Sequence, residues 1–228
     1  MAGSVILAAL LLKLGTWGVF LLSLYTRKQG ILPFFTLEFA LMGGLAASFI
    51  CAHQVDIKLL VAYSSIAHMA PVIRARLIHR DLRERGGRLI IIAHGFSSAG
   101  LFMGANSIYS RSNTRSLVLN KGLISAFPLF SALWFLLCIR NMGAPPTINL
   151  ASEVMLIMSF LPHRESAIVI TGFICFMAVI YRIVLFSSSQ YLSRKKLGSL
   201  HLNSLEVVSL LIVAMPPFIL IEIINYLQ

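Results

Sequence analysis

Four ionisable side chains stand deep inside apolar runs of this sequence: Lys13, His68, His94 and Glu153. A charged group at bilayer depth costs about 2.5–3.5 kcal/mol on insertion scales, so such residues turn towards a protein interior or a wet path. Burial works against the charged form of any ionisable group, which lets a buried ammonium and a buried carboxyl both exchange protons near neutrality. Imidazole begins there. A lysine, two histidines and a glutamate are therefore the parts of a proton relay. The strings Ser64-Ser65-Ile66-Ala67-His68 and Ala93-His94-Gly95-Phe96-Ser97-Ser98-Ala99-Gly100 place small and hydroxyl residues beside the histidines. Such residues let helices approach closely and offer hydroxyls to water chains.

Each of the four has a plainer reading. A histidine on a membrane helix also serves as a hydrogen-bonded packing residue. Lys13 could snorkel, although it lies roughly two turns from the nearer end of its stretch. Glu153 follows a Pro-Pro pair and could be a first-turn acid favoured by the helix dipole. Glu38 has only its carboxylate to recommend it and carries no assignment.

The elements that must hold these residues are membrane helices. Of the 228 residues 58% are hydrophobic and 12% charged, and mean hydropathy is +0.87. A soluble domain carries about twice that charged fraction; in lipid the outer face can be apolar. Apolar stretches run from about Ser4 to Tyr25, Ile31 to Ala52, Ile57 to Ile73, Leu89 to Ile108, Gly122 to Cys138, Thr147 to Leu161, Ser166 to Ser189 and Ser204 to Leu227. That is room for seven or eight spans of roughly 20 residues. Basic or polar turns separate them at Thr26–Gly30, His53–Asp56, Tyr109–Lys121 and Gln190–Asn203, and Asp56 is placed to cap the helix that follows. Pro145-Pro146 stops or breaks a helix, so the flanking runs are two spans or two halves of one. Pro216-Pro217 bends the last span. No stretch alternates as a β-barrel strand does.

Cys51, Cys138 and Cys175 lie in apolar runs without a CxxC pair, which reads as buried small apolar residues and not as disulfides or metal ligands. The N-terminus has no basic segment ahead of a short hydrophobic core, so no signal peptide is expected. Apolar sequence begins almost at the first residue, as it would inside a larger protein.

The same residues carry a resemblance. Leu12-Lys13-Leu14-Gly15, the run from Asp56 through Ala62-Tyr63-Ser64-Ser65-Ile66-Ala67-His68-Met69, and Ile92-Ala93-His94-Gly95 through Ser97-Ser98-Ala99-Gly100-Leu101-Phe102 resemble the antiporter-like, proton-pumping membrane subunits of respiratory NADH:ubiquinone oxidoreductase (complex I), subunit 4 of the mitochondrial enzyme in particular. So do Arg115-Ser116, Asn120-Lys121-Gly122 and Ala144-Pro145-Pro146-Thr147-Ile148-Asn149-Leu150 with Glu153. The match is collinear over nearly the whole chain.

The resemblance implies an all-α, polytopic transmembrane helix bundle of antiporter-like fold with broken helices. It implies a mid-membrane chain of ionisable groups in which Lys13 links the two halves of the channel, Glu153 is the acid on the broken helix, and His68 and His94 lie between. It implies a multi-pass protein of the inner mitochondrial membrane, partnered by the other membrane subunits of complex I and the lipid bilayer. No redox chemistry, bound cofactor or metal is expected in this chain; NAD and ubiquinone are used by the rest of the complex. The N-terminal half of the family's domain, with an inlet-side glutamate and a second lysine, is expected to be absent. Residues 1–228 would then form one partial transmembrane domain that does not pump alone.

The arginines depart from the family pattern. Arg74, Arg76, Arg80, Arg83, Arg85 and Arg88 crowd a segment where the family has a hydrophobic helix and a short small-residue loop of closely similar length. Arg140 and Arg182 stand where it has small residues. The expected origin is translation: in most invertebrate mitochondria AGA and AGG encode serine (glycine in tunicates), whereas the standard code gives arginine. Removing these eight charges would erase most of the net charge of +11. Read as real, the segment is a basic loop or amphipathic helix on an anionic membrane surface, or a nucleic-acid contact. It lacks the interleaved aromatics that stack bases, so no nucleic-acid partner is expected.

Two other functions remain to be weighed: a freestanding sodium/proton antiporter-type carrier, and a structural membrane protein whose polar residues only join helices.

Overall fold

The structure, a computed structural model, describes residues 2–25, 32–77, 81–161, 165–191 and 203–215. Its described residues are helical, with a single isolated β-bridge and no strand. The chain opens with α1 (Ala2–Ile6), a π-helical turn at Leu7–Leu11, and α2 (Leu12–Tyr25). Then come α3 (Leu32–Ala52), α4 (Ile57–Leu77), α5 (Asp81–Ser112), α6 (Leu123–Ala126), α7 (Pro128–Asn141), α8 (Ile148–Phe160), α9 (Glu165–Gln190) and α10 (Ser204–Ala214). The basic turn at 26–30, the centre of the loop around Arg194–Lys196 and the Pro216-Pro217 bend lie outside the described residues.

Two helical stretches among the described residues are long and apolar enough to cross a membrane by length and composition, Arg85–Ser112 and Ser166–Gln190. The other apolar helices are shorter. The outer surface is apolar: Phe39 and Leu205 are each 81% exposed and Val169 70%. Scattered so widely, exposed side chains of this size suit a lipid solvent and not water.

Polar residues turn inward instead. Ser64, Ser65, Ser97, Ser98, Ser152 and Thr171 are buried, as are His68, His94 and Asn141. Several of the serines return their hydroxyls to a carbonyl three residues earlier on their own helix, as Ser64 does to Val61 at 2.7 Å, which satisfies them without a partner helix.

Small residues set the helix spacing. Gly44 on α3 lies so close to Ala70 on α4 that a Cβ there would collide with it, and Gly104 on α5 is covered by the ring of Trp134 on α7. One apolar cluster joins α4, α5, α7 and α9 through Leu60, Leu101, Trp134, Leu137 and Tyr181. A second joins α3, α4, α5, α8 and α9 through Leu41, Val72, Ile90, Phe160 and Ile174.

The charged segment after Ile73 does not break the helices where the apolar pattern ends. α4 continues to Leu77 and α5 starts at Asp81. Arg74 is 3% exposed and pairs with Glu38 of α3 at 3.1 Å, which gives that otherwise unassigned acid a role. Arginine, leucine and glutamate are also good helix formers. Arg85 and Arg88 face outward. The side chains of Arg76, Arg80 and Arg83 lie outside the described ones.

Asp56 starts α4 through its backbone and not its side chain. Its carbonyl accepts from Leu60 N–H at 2.9 Å. It pairs with Ser116 in the isolated bridge, where Ile57 N–H donates to Arg115 O at 3.0 Å and Leu117 N–H to Val55 O at 2.8 Å.

Candidate functional site

Lys13 stands two residues beyond the π-helical turn. Its ammonium donates to the carbonyl of Ala8 and reaches Ser98 Oγ at 3.5 Å. The stem passes Gly95, where a Cβ would come within 3.3 Å of Lys13 Cε. The ammonium therefore points at α5 and does not snorkel towards an edge.

His94 lies one turn before Ser98 on α5 and is fully buried. Its Nδ1 is 3.1 Å from the side-chain amide of Asn141, the last residue of α7. With the Asn141 amide turned so that its nitrogen faces His94, its oxygen accepts from the guanidinium of Arg182. The same guanidinium donates to Ser64 Oγ at 2.5 Å.

The next imidazole, His68 on α4, is 4% exposed, and its ring centre is 5.2 Å from that of His94. His68 Nδ1 in turn lies 3.5 Å from Glu153 Oε1. Pro71 follows within the same helix; lacking an N–H, it leaves the carbonyl one turn back without its helical donor.

Glu153 owes its position to the break between α7 and α8. Met142 to Thr147 form a turn in which Gly143 adopts φ +70°, a conformation that favours glycine. A Cβ at Gly143 would lie 2.9 Å from Glu153 Oε2, so the missing side chain is also the space the carboxylate fills. Asn149 Nδ2 donates to the Arg140 carbonyl at 2.9 Å and ties the two helix ends together. Glu153 is not in the first turn of α8, which holds no acid. The dipole-acid reading fails, and the carboxylate turns towards α4 instead.

All four residues expected from the sequence thus fall in one file, running Lys13, Ser98, His94, His68, Glu153 across α2, α5, α4 and α8. Ser98 lies within the file and Asn141 and Arg182 flank it at His94 and Ser64; the sequence marks none of the three as a member. Ser98 lies in the small-residue string beside His94, but Asn141 reads as an ordinary polar residue at a helix end. Cys175 of α9 lies against Glu153, and all three cysteines are free thiols. Among the described residues no group of three or more His, Cys, Asp or Glu could hold a metal ion.

Residues 1–180 match the family described as NADH:quinone oxidoreductase/Mrp antiporter, transmembrane. The chain belongs to that family. Among members of the NADH:quinone oxidoreductase/Mrp antiporter family, it is 39% identical over 191 residues to NADH-ubiquinone oxidoreductase chain 4 of Locusta migratoria, covering 83% of this chain and 43% of that one. It is 35% identical over 231 residues to chain 4 of Porthidium nasutum, covering 96% and 99%. The chain therefore spans less than half the length of the locust relative. Its fold is that of a subunit in the membrane-bound sulfane sulfur reductase, an archaeal respiratory membrane complex: TM-score 0.86 at 19% identity, over 95% of this chain and 45% of that one. The all-α, antiporter-like membrane architecture expected from the resemblance is the one present.

Proposed function

We propose that this chain is a proton-translocating membrane subunit of respiratory NADH:ubiquinone oxidoreductase. It spans the inner mitochondrial membrane several times and joins the other membrane subunits, coupling electron transfer from NADH to ubiquinone to proton transport. The chain carries out no redox step and holds no cofactor; its partners handle NAD and ubiquinone. The carrying observation is the buried file from Lys13 to Glu153: Lys13 reaches Ser98 Oγ at 3.5 Å, the His94 and His68 ring centres lie 5.2 Å apart, and His68 Nδ1 faces Glu153 Oε1 at 3.5 Å. Such a series can pass a proton by small side-chain movements, each group acting in turn as acid and base.

The test is Glu153→Gln in the assembled complex. Coupled NADH:ubiquinone turnover and proton uptake are expected to fall by about a hundredfold or more, from the lower end of the range for a positioned proton-transfer group upward. Turnover and pumping at the parental rate would make the file a packing feature.

The family description also names Mrp antiporters, which supports a freestanding sodium/proton carrier as the second reading. Sodium-dependent proton release by the reconstituted chain, without any partner, would favour it.

A further inference from the structure

Beside Glu153 is a small pocket with room for about one water, walled by residues of α4, α5, α8 and α9. His68, Glu153, Thr171 and Cys175 line it among apolar side chains of the same four helices. Three polar atoms of its lining residues have no hydrogen-bond partner: His68 Nε2, Glu153 Oε1 and Thr171 Oγ1. Thr171 is 2% exposed and His68 4%. Buried polar groups are nearly always paired, with protein or with ordered water.

Glu153 Oε1 is 3.5 Å from His68 Nδ1 and yet makes no hydrogen bond. A polar contact of that length, beside a pocket that the Thr171 hydroxyl also lines, is one that a water can complete. A water needs two to four polar partners and room for itself, and this pocket supplies both. A hard cation fits worse. Such ions take six or more oxygen ligands, whereas the pocket offers one carboxylate and one hydroxyl beside a thiol.

We propose that Thr171 seats a water between His68 and Glu153, and that this water carries the proton between them. This rests on the relay reading above. The water oxygen takes a proton from the imidazolium as one of the water's own protons bonds to the carboxylate. Imidazole, carboxylic acid and water result, with one proton moved. The reverse follows the same steps. Thr171 exchanges no proton; its hydroxyl holds the water in line, which makes it a positioning residue. Cys175, four residues on and on the same face of α9, walls the pocket.

The experiment uses the assembled complex with Thr171→Val, which removes the hydroxyl at nearly constant volume, and Thr171→Ser, which keeps it. Infrared difference spectra identify the Glu153 carboxyl band by its loss in Glu153→Gln. In Thr171→Val that band is expected to shift and to lose its sensitivity to H₂¹⁸O, while coupled turnover falls roughly tenfold; Thr171→Ser retains both. An unmoved band in Thr171→Val overturns the proposal, whether or not turnover falls, because a loss of rate alone is what a packing role would give. If Thr171→Val does not assemble, Thr171→Ala removes the same hydroxyl and is judged by the same band. Failure of the relay reading would appear separately, as parental pumping in Glu153→Gln.

Discussion

His68 Nδ1 and Glu153 Oε1 face each other at 3.5 Å, although one belongs to an unbroken helix containing a proline and the other to the second half of a broken one. His94 stands behind His68 with ring centres 5.2 Å apart. On the relay reading the two imidazoles are steps in series. His68→Phe and His94→Phe should each lower coupled turnover by about a hundredfold or more in the assembled complex, within the range for positioned acid–base groups. The double variant should be no slower than the slower single one, since groups acting as a unit are not additive. Multiplying effects in the double variant would mean that the two act on separate paths.

Lys13 makes a different prediction. Its ammonium is held by Ala8 O and Ser98 Oγ, so on the relay reading Lys13→Ala removes the group that would hand protons to α5. Coupled turnover should drop by about tenfold or more with assembly intact on a native gel. Unaltered turnover would restore the snorkelling lysine.

Packing against Trp134 can be tested without reference to transport. The Trp134 ring is fully buried and lies where a Gly104 Cβ would be. Gly104→Ala should destabilise the bundle by about 1–3 kcal/mol, as overpacking does, and lower the thermal midpoint of the detergent-solubilised complex. A midpoint equal to that of the parent would show that α5 and α7 can separate freely.

The buried arginines predict a mass. Arg182 is fully buried, Arg140 is 1% exposed and Arg74 3%. Arg74 has Glu38 beside it, whereas among the described residues no acid pairs with Arg182, and its Nε finds no acceptor. A charge left without a counter-ion at such a site is costly, and a serine hydroxyl would fit next to Ser64 and Asn141. Tandem mass spectrometry of the protein from native membranes should find peptides over positions 74, 140 and 182 lighter by the difference between arginine and serine, or glycine. Codons at these positions should read AGA or AGG. Arginine masses there would establish the charges as real.

Much of this was legible in the sequence, and for a clear reason. Lys13, His68, His94 and Glu153 stand out because a charge in an apolar run is expensive wherever the run folds. The break at Pro145-Pro146 is equally visible, because proline removes a donor regardless of context. Asn141 and Thr171 are different. Each is a common polar residue in a common place, and their importance comes from what lies across from them in space. The extension of α5 back to Asp81 was hidden for a related reason. The periodic apolar signal ends near Leu89, but helix propensity does not, and Arg74 is retained in α4 by an acid 36 residues away in sequence.

The short pairing around Asp56 and Ser116 gives the bundle a common datum. It laces the turn before α4 to the turn after α5 through backbone hydrogen bonds, and those are the two helices that carry His68 and His94. Both imidazole depths are thus read from the same zero mark. If one hairpin slides along the membrane normal, the other is drawn with it, and the gap between the rings stays as it was ruled.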